Sequence, residues 1–463
     1  MPEPRRLRRC LALVAGTALV FSASTAAHAA PAVDVHLNEV VTTGDVDDSI
    51  ELYNGGSTAA DVSGWILKDD KDSSKYKIAA GTVLAPGGYR AFDVHDQFGL
   101  GSEDQARLYL ADGRTLVDSF GWKEHSDPSW SRCPDGTGAF TQAPLTLGAA
   151  NSCGGTVNPR AWPGAGSVTT ADAADVFGEN LSGLYQEGGV LWAAQNSGKV
   201  WRLVPDGSGG WKPDTASGWG SGKKIHYPGG SGTPDDEGIT LTGAGSAGGV
   251  YTSNERDNDH GGTSRLSVLR YDVGGAATTL SAAKEWNLTG DLPPVGANLG
   301  LEGVTWIPDS ALTSAGFKDS STGAAYDPAR YPAHTGGVFF VGVEGTGTVY
   351  GYVLQDSGAF ARVATIGSGM PGVMELQWEP QTSRLWVVCD NTCHGQHRTM
   401  QVDASGAFAV TAAYQRPSGM PDYNNEGFSL APAGECTGGA KPVYWSDDDN
   451  DGGHALRKGS IGC

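Results

Sequence analysis

One short phrase recurs five times along residues 171–463, and four of its five copies carry a glutamate. Each copy is followed by a β-rich run, a polar turn and, in most cases, a second β-rich run. Successive copies start about 50 to 70 residues apart, a spacing typical of β-propeller blades. The five copies are Leu181-Ser182-Gly183-Leu184, Asp236-Glu237-Gly238-Ile239-Thr240, Leu301-Glu302-Gly303-Val304-Thr305, Met374-Glu375-Leu376-Gln377-Trp378 and Asn425-Glu426-Gly427-Phe428-Ser429.

Five copies predict a five-bladed propeller over residues 173–463, or a six-bladed one if a further blade lacks the phrase. A tandem of β-sandwiches is the alternative, but identical phrases at blade spacing disfavour it. Two copies depart from the pattern. The first has Ser182 where the others have glutamate, and the fourth has Leu376 where the others have glycine.

The glutamates of the phrase are candidate metal ligands. The innermost strand of every blade faces one axis, so carboxylates at the same position of several blades should converge; these are Glu237, Glu302, Glu375 and Glu426. Carboxylates crowded together repel unless some are protonated or a cation lies among them. Calcium suits such a site because it takes six to eight oxygen ligands with loose geometry. In the structural alternative, each glutamate accepts backbone N–H groups from a neighbouring blade.

A second acidic ring is predicted from the polar turns that follow the phrases. The members of this ring are Glu255, Glu344, Asp390 and Asp447. Asp236, which precedes Glu237, is a further predicted metal ligand. The same turns hold Arg256, His260, His394, His397 and His454. Such a channel mouth could bind calcium and a phosphorylated substrate, with metal-activated water as the nucleophile. The alternative is a solvated acidic loop face.

The run from Asp447 to Gly452 matches the opening of an EF-hand loop, but its twelfth position is Lys458 and not the required glutamate. We therefore interpret it as an acidic turn that shares a calcium ion.

Residues 1–29 read as a secretory signal peptide. Basic residues at 5–9 precede an apolar run at 11–21, and Ala27-His28-Ala29 supplies a small-x-small cleavage pattern. The protein is predicted to be secreted and extracellular, with Sec and twin-arginine export both open. No later apolar run is long enough to span a membrane.

Six cysteines follow the signal peptide, and an even count in a secreted chain predicts disulfides. Proximity favours the pairs Cys133–Cys153, Cys389–Cys393 and Cys436–Cys463. A zinc site at Cys389, Cys393, His394 and His397 is the alternative, because their spacing is ligand-like.

Residues 30–152 carry short β-rich runs separated by turns, which predict an antiparallel sandwich. Residues 153–172 are rich in small residues and predict a linker. The chain as a whole is therefore predicted to be all-β.

The first part resembles the lamin-tail domain family. The resemblance depends on Leu37-Asn38-Glu39-Val40, Ile50-Glu51-Leu52-Tyr53-Asn54, Ser63-Gly64-Trp65 with Leu67-Lys68-Asp69-Asp70, Leu84-Ala85-Pro86-Gly87-Gly88-Tyr89, and Arg132-Cys133-Pro134-Asp135-Gly136-Thr137-Gly138. It implies an immunoglobulin-like β-sandwich. In bacteria such modules look like accessory units of secreted enzymes, and the resemblance implies no catalysis.

Residues 175–462 resemble the SdiA-regulated and phytase-esterase-like propeller group. The carrying phrases are Asp235-Asp236-Glu237-Gly238-Ile239-Thr240, Asn254-Glu255-Arg256, Gly300-Leu301-Glu302-Gly303-Val304 and Asn424-Asn425-Glu426-Gly427-Phe428. This resemblance implies a secreted propeller with central acidic residues and a calcium ion. Some relatives look like phosphoester or ester hydrolases.

Composition narrows the function. Lys and Arg number 32 against 52 Asp and Glu, so binding to nucleic acid is not expected, and metal cations or cationic partners fit better. Serine-hydrolase elbows, P-loops and zincin motifs are absent from the sequence.

Two hypotheses about the function remain. One is a calcium-dependent hydrolase of phosphoesters or esters with an accessory sandwich. The other is a non-catalytic surface or matrix binding protein with structural calcium.

Overall fold

The computed structural model describes residues 34–43, 47–126, 129–133, 135–143, 145–151 and 157–463. The predicted signal peptide lies outside these residues. The first eleven strands are β1 (Val35–Val41), β2 (Ser49–Asn54), β3 (Ala60–Asp61), β4 (Ile66–Lys68), β5 (Tyr76–Lys77), β6 (Val83–Leu84), β7 (Tyr89–Asp93), β8 (Asp104–Tyr109), β9 (Leu116–Trp122), β10 (Ser129–Cys133) and β11 (Ala139–Ala143).

These strands form a β-sandwich. One sheet has the order β11-β10-β1-β2-β7 and the other β5-β4-β8-β9, while β3 pairs with β6. Successive side chains of a strand point to opposite faces, so each sheet turns one apolar set inward. Leu37, Leu52, Leu67 and Leu108 are fully buried in the shared core. The immunoglobulin-like prediction is confirmed.

The remaining strands belong to the propeller. They are β12 (Thr169–Thr170), β13 (Leu181–Glu187), β14 (Val190–Gln195), β15 (Lys199–Pro205), β16 (Trp211–Pro213), β17 (Lys223–His226), β18 (Pro234–Leu241), β19 (Val250–Asp257), β20 (Ser264–Tyr271), β21 (Thr279–Ser281), β22 (Lys284–Asn287), β23 (Leu301–Pro308), β24 (Lys318–Asp319), β25 (Ala324–Ala325), β26 (Gly337–Val343), β27 (Thr348–Leu354), β28 (Phe360–Gly367), β29 (Glu375–Glu379), β30 (Arg384–Val388), β31 (His397–Val402), β32 (Phe408–Tyr414), β33 (Phe428–Leu430), β34 (Ala440–Ser446) and β35 (Leu456–Gly462).

Helices are short. The described residues contain one α-helix, α1 (Asp309–Ala315). The 3-10 turns are Gly245–Gly248, Asn258–His260, Pro328–Arg330, Glu344–Thr346, Asn391–Cys393, Ala433–Glu435 and Asp451–Gly453.

Five sheets with four or more strands each form a ring of blades in the described residues. From blade one to blade five they are β13-β14-β15-β17-β21, β18-β19-β20-β22, β23-β26-β27-β28, β29-β30-β31-β32 and β33-β34-β35-β12. The first strand of each blade is its inner strand, and it lies next to the inner strands of the two neighbouring blades. The contact between β13 and β33 brings blade one against blade five. Blade five takes its outer strand, β12, from the start of the propeller, which closes the ring by hydrogen bonding. The five-bladed prediction is confirmed.

The glycine of the recurring phrase lets inner strands approach each other. A Cβ on Gly238 would lie 2.5 Å from the Glu302 carbonyl oxygen and 2.6 Å from the Val304 nitrogen of the next blade. Pairing within the blade also shifts register at the phrase in β13, β18 and β23. The phrase therefore marks a close backbone contact between blades.

The segment predicted as a linker packs on the propeller where it is described. Trp162 is buried among aromatic side chains that include Trp386 and Trp445, and its indole N–H donates to the Ser460 carbonyl oxygen at 2.8 Å. Farther along, β12 pairs with β35. Residues 157–172 therefore hold blade five in place.

Two of the predicted disulfides are present, Cys389–Cys393 and Cys436–Cys463. The Cys389–Cys393 disulfide uses the two thiols that the zinc alternative requires as ligands. The third predicted pair includes Cys153, which lies outside the described residues. Within the described part of the chain, helices that could cross a membrane are absent.

Candidate functional site

An acidic cavity of about 610 Å³ opens at one end of the propeller axis. Its walls come from the residues just before, or at the start of, the inner strands, and from the ends of the second strands. Eight carboxylates and one guanidinium line it together with amide and hydroxyl groups. The charged residues are Asp235, Glu237, Glu255, Arg256, Glu302, Glu344, Asp390, Glu426 and Asp448.

Carboxylates from different blades meet in this cavity. Glu237, Glu302 and Glu426, from blades two, three and five, have carboxylate oxygens within 4.8 Å of one another. Two further triads overlap with this one. They are Asp235 with Glu237 and Glu255, and Glu255 with Glu302 and Glu344. Six carboxylates thus form one continuous acidic cluster.

Several oxygens of the cluster have no hydrogen-bonding partner although they are buried. Glu237 is only 5% exposed, and its Oε2 atom, like Oε2 of Glu426, lacks a partner. Burial and the neighbouring carboxylates raise the pKa of Glu237, Glu302 and Glu426 well above the usual range. Burial also raises the pKa of Glu255 to about 7. Either protons or a cation must therefore offset the charge.

Arg256 is the cation that the protein itself places in the cavity. Its Nε lies 2.6 Å from Oδ2 of Asp235, and its Nη1 lies 3.5 Å from Oε2 of Glu255. Nη1 also donates to the Asn298 side chain. One guanidinium held between two of eight carboxylates leaves a large negative excess.

Strand alternation decides which acid of a pair faces the cavity. Asp235 and Glu237 are two residues apart in β18 and share its cavity face, whereas Asp236 between them points away. Asp236 is fully buried, accepts a hydrogen bond from Thr252 at 2.6 Å, and has its pKa raised by burial to about 8. The predicted metal ligand Asp236 therefore lies outside the cavity, and Asp235 lines it instead.

Glu375 reaches the axis, but it does not line the cavity. Its carboxylate accepts backbone hydrogen bonds from Leu376 at 2.8 Å and from Leu184 of blade one at 3.2 Å. Blades one and four are not neighbours in the ring, so this side chain lies between them near the axis. Burial raises its pKa well above the usual range. Glu375 therefore acts as a backbone acceptor, as in the structural alternative, but the donors of these two bonds are in its own strand and in blade one, which is not a neighbouring blade.

The physical reason is the missing glycine of the fourth phrase. Strand β29 pairs with β30 without a register shift, unlike the inner strands of blades one to three. Met374 consequently lines the cavity in blade four, and Glu375 turns to the backbone amides.

Three of the four residues predicted for the second acidic ring line the cavity, and a neighbouring residue takes the place of the fourth. Glu255, Glu344 and Asp390 line the cavity as predicted, but in blade five the lining residue is Asp448 and not Asp447. Asp447 is fully buried and pairs with Arg457 at 2.5 Å. Ser253 and Ser446 hold equivalent places, each accepting from a phrase glycine amide. Aligning these serines in the sequence would have matched Glu255 with Asp448.

The four histidines of the polar turns lie elsewhere. His397 is buried and accepts a hydrogen bond from the Trp445 indole at 2.9 Å. His394 lies beside Asp422 and His454 beside Asp172, while His260 is exposed near Asp257. Histidine and cysteine are thus absent from the cavity lining within the described residues.

The donor set fits calcium. Carboxylate oxygens are joined in the lining by side-chain amides of Asn180, Asn196, Asn258, Asn298 and Asn424. Calcium takes six to eight such oxygens in flexible geometry, whereas structural and catalytic zinc sites use mainly nitrogen and sulfur. The buried unpartnered oxygens are free to serve as ligands.

Comparison with known proteins supports the sandwich directly. The Lamin Tail Domain family matches residues 28–124, which confirms this part of the predicted resemblance. A search of curated proteins finds no match.

Solved structures add only distant likenesses. The chain is similar to a glucose dehydrogenase, with a TM-score of 0.33 and 12% identity over 64% of this chain and 99% of that chain. It is also similar to an auxiliary nutrient binding protein from Bacteroides thetaiotaomicron, with a TM-score of 0.31 and 12% identity over 91% of this chain and 84% of that chain. At such scores the strand order of this chain alone supports the propeller. The likeness to the SdiA-regulated group stays a prediction.

Proposed function

We propose that this is a secreted, extracellular propeller that binds calcium in its acidic cavity and hydrolyses a phosphoester or ester there, with the lamin-tail sandwich as an accessory module. The observation that carries the proposal is the convergence of Glu237, Glu302 and Glu426 from three blades. Glu237 and Glu426 each keep a buried oxygen without a hydrogen-bonding partner, and a cation bound among the three carboxylates would offset their charge.

The size of the cavity favours a substrate beside the ion. Ligand pockets for small molecules usually span about 300 to 1,000 Å³, and this cavity of about 610 Å³ is much larger than a single hydrated ion requires. Calcium held by the carboxylates would act as a Lewis acid toward a phosphoryl or carbonyl oxygen. Arg256 lies on the same wall, and its positive charge can attract an anionic group.

Calorimetric titration with calcium tests the metal site. The chelator-treated protein should bind calcium, and Glu302→Gln should weaken binding by tenfold or more because it removes a charge shared by two triads. Asp236→Asn is the matched control, since that carboxyl also belongs to an inner strand and is buried, but it faces away from the cavity. Equal calcium affinity in both variants would end the proposal.

Hydrolysis needs a separate assay. Chromogenic phosphomonoesters, phosphodiesters and carboxylic esters should be turned over only with calcium present, and Arg256→Ala should raise KM for the anionic substrates more than for the neutral ones. Activity that survives chelation and Glu302→Gln would remove the cavity from the reaction.

A non-catalytic protein with structural calcium is the second candidate. It is favoured by the burial of the central carboxylates, since Glu237 and Glu302 are each 5% exposed. Calcium binding without turnover of any of these substrates would support this candidate over the hydrolase.

A further inference from the structure

A second cavity lies at the opposite end of the propeller axis. All five inner strands begin at the acidic cavity, and the residues at their far ends line a pocket of about 250 Å³. In β23, for example, Glu302 lines the acidic cavity and Trp306 lines the second one. Four residues of strand separate them, a distance of about 13 Å.

The interior between the two cavities is filled. The Glu375 carboxylate and its bonds to the Leu184 and Leu376 amides occupy the region near the axis. The close backbone contact of Gly303 with Glu375 adds to this barrier. The second cavity is therefore a separate site, not a continuation of the first.

The second cavity has almost no net charge. Its charged lining residues are Glu379 and Lys441, and they pair with each other at 2.8 Å while both are more than nine-tenths buried. Among the described residues that line this cavity, no group of acidic side chains is close enough together to hold a metal ion. This cavity consequently favours a neutral ligand.

Unpartnered polar atoms indicate what kind of neutral ligand. Gln186, Gln377 and Trp378 line the cavity, and each side chain is at least nine-tenths buried. The Oε1 atoms of both glutamines and the indole Nε1 of Trp378 lack hydrogen-bonding partners. Two acceptors and one donor are complementary to hydroxyl groups, which both donate and accept.

Aromatic side chains complete the lining. Tyr185, Trp306 and Trp378 contribute rings, and Trp306 is only partly buried. Rings of this kind offer apolar surface to the C–H groups of a ligand, while nearby amides bind its hydroxyls.

We propose that this second axial cavity binds one neutral sugar ring, either as a free monosaccharide or as the terminal residue of a glycan. At about 250 Å³ the cavity lies just below the range of roughly 300–1,000 Å³ that holds drug-sized ligands, so one ring is the size it accommodates. The site is independent of calcium, because its lining shares no residue with the acidic cavity.

Titration of the full chain with glucose, galactose, mannose and N-acetylglucosamine tests the proposal, with tryptophan fluorescence and calorimetry as readouts. At least one sugar should bind saturably, with the same affinity in calcium and in chelator. A parallel series of disaccharides separates the two sources: a terminal residue should bind as well as, or better than, the free sugar if glycans are the ligand.

Variants locate the binding. Trp306→Ala and Gln377→Leu should each weaken sugar affinity about tenfold or more, whereas Trp130→Ala on the sandwich should leave it unchanged. Circular dichroism checks that each variant is folded, and Trp306→Ala decides the matter alone if Gln377→Leu does not fold. Absence of binding to the wild-type protein, or equal binding by the folded Trp306→Ala variant, would overturn the proposal.

Discussion

At the scale of single residues, two glutamates of the same phrase act differently. Glu302 adds its charge to the acidic cluster, whereas Glu375 accepts backbone hydrogen bonds near the axis. An unpaired buried amide costs about 1–3 kcal/mol. The Glu375 side chain therefore stabilises the contact near the axis between the inner strands of blades one and four.

Replacing Glu375 tests this role. Glu375→Ala leaves the Leu184 and Leu376 amides without an acceptor and should lower the free energy of unfolding by about 2–5 kcal/mol. Glu375→Gln keeps an accepting oxygen and should cost less. Denaturant unfolding measures both, and Glu124→Ala on the exposed surface of the sandwich is the control. An alanine variant as stable as wild type would contradict the role.

Two buried carboxyls of the lamin-tail motif hold the end of the sandwich. Oε1 of Glu39 accepts from the Thr146 amide at 2.9 Å, and Oε2 of Glu51 accepts from the Gly148 amide at 2.5 Å. The hydroxyl of Tyr350 in blade three donates to the Leu147 carbonyl oxygen at 3.4 Å. These motif residues therefore hold the segment that packs on the propeller.

The attachment of this segment should depend on pH. Burial raises the pKa of Glu39 from 4.5 to about 7 and that of Glu51 well above its usual range. Because the folded pKa is the higher one, the stabilisation is complete below about pH 4.5 and is lost as the pH rises through about 7. Amide exchange of residues 145–151, corrected for the intrinsic rate, should show weaker protection at pH 8 than at pH 5.

Glu39→Gln should flatten that profile, because it removes one of the titrating groups. Glu103→Gln on the exposed surface is the control and should follow wild type. An identical pH profile in Glu39→Gln and wild type would assign the dependence to other groups.

At the scale of elements, each phrase glycine is a contact between neighbouring inner strands. At Gly238 the nearest atoms are the Glu302 carbonyl oxygen and the Val304 nitrogen of the next blade, together with the Ser253 hydroxyl, so an added methyl group would collide with fixed backbone. Gly189, in the turn between β13 and β14, offers the opposite case, because a Cβ there would meet nothing within 4 Å.

Gly238→Ala should therefore destabilise the propeller by about 1–3 kcal/mol or more, while Gly189→Ala should be neutral within about 0.5 kcal/mol. Thermal unfolding of the two single variants makes the comparison. Equal melting temperatures would show that the inner strands can separate at no cost.

The strand elements also explain how far the sequence could be interpreted. Recurrence of the phrase predicted the blades, because one phrase corresponds to one inner strand. The sequence marked the fourth phrase as different, because Leu376 replaces the glycine, but the direction of the Glu375 side chain follows from the unshifted pairing of β29 with β30, which the phrase does not encode. Asp235 was within reach through the two-residue period, and Asp448 through the serine alignment. The second axial cavity left no recurring pattern, because its lining differs from blade to blade.

At the scale of the whole molecule, charge and ring closure are linked. The chain carries a net charge of −20, and eight carboxylates of the described residues converge on one cavity. Their repulsion acts across blades, so it opposes the ring that β12 closes with β35. A cation bound among them would join blades two, three and five.

Calcium should therefore raise the melting temperature of the intact protein. A ligand that binds only the folded state adds about 2.7 kcal/mol at a hundredfold excess over its Kd. Scanning calorimetry in calcium and in chelator should show the rise for wild type and for Asp236→Asn, and a much smaller rise for Glu302→Gln. Glu302→Gln should itself melt higher than wild type in chelator, because it removes a buried carboxyl that must otherwise be protonated or repel its neighbours. A calcium-independent melting temperature in wild type would mean that the cluster is neutralised by protons alone.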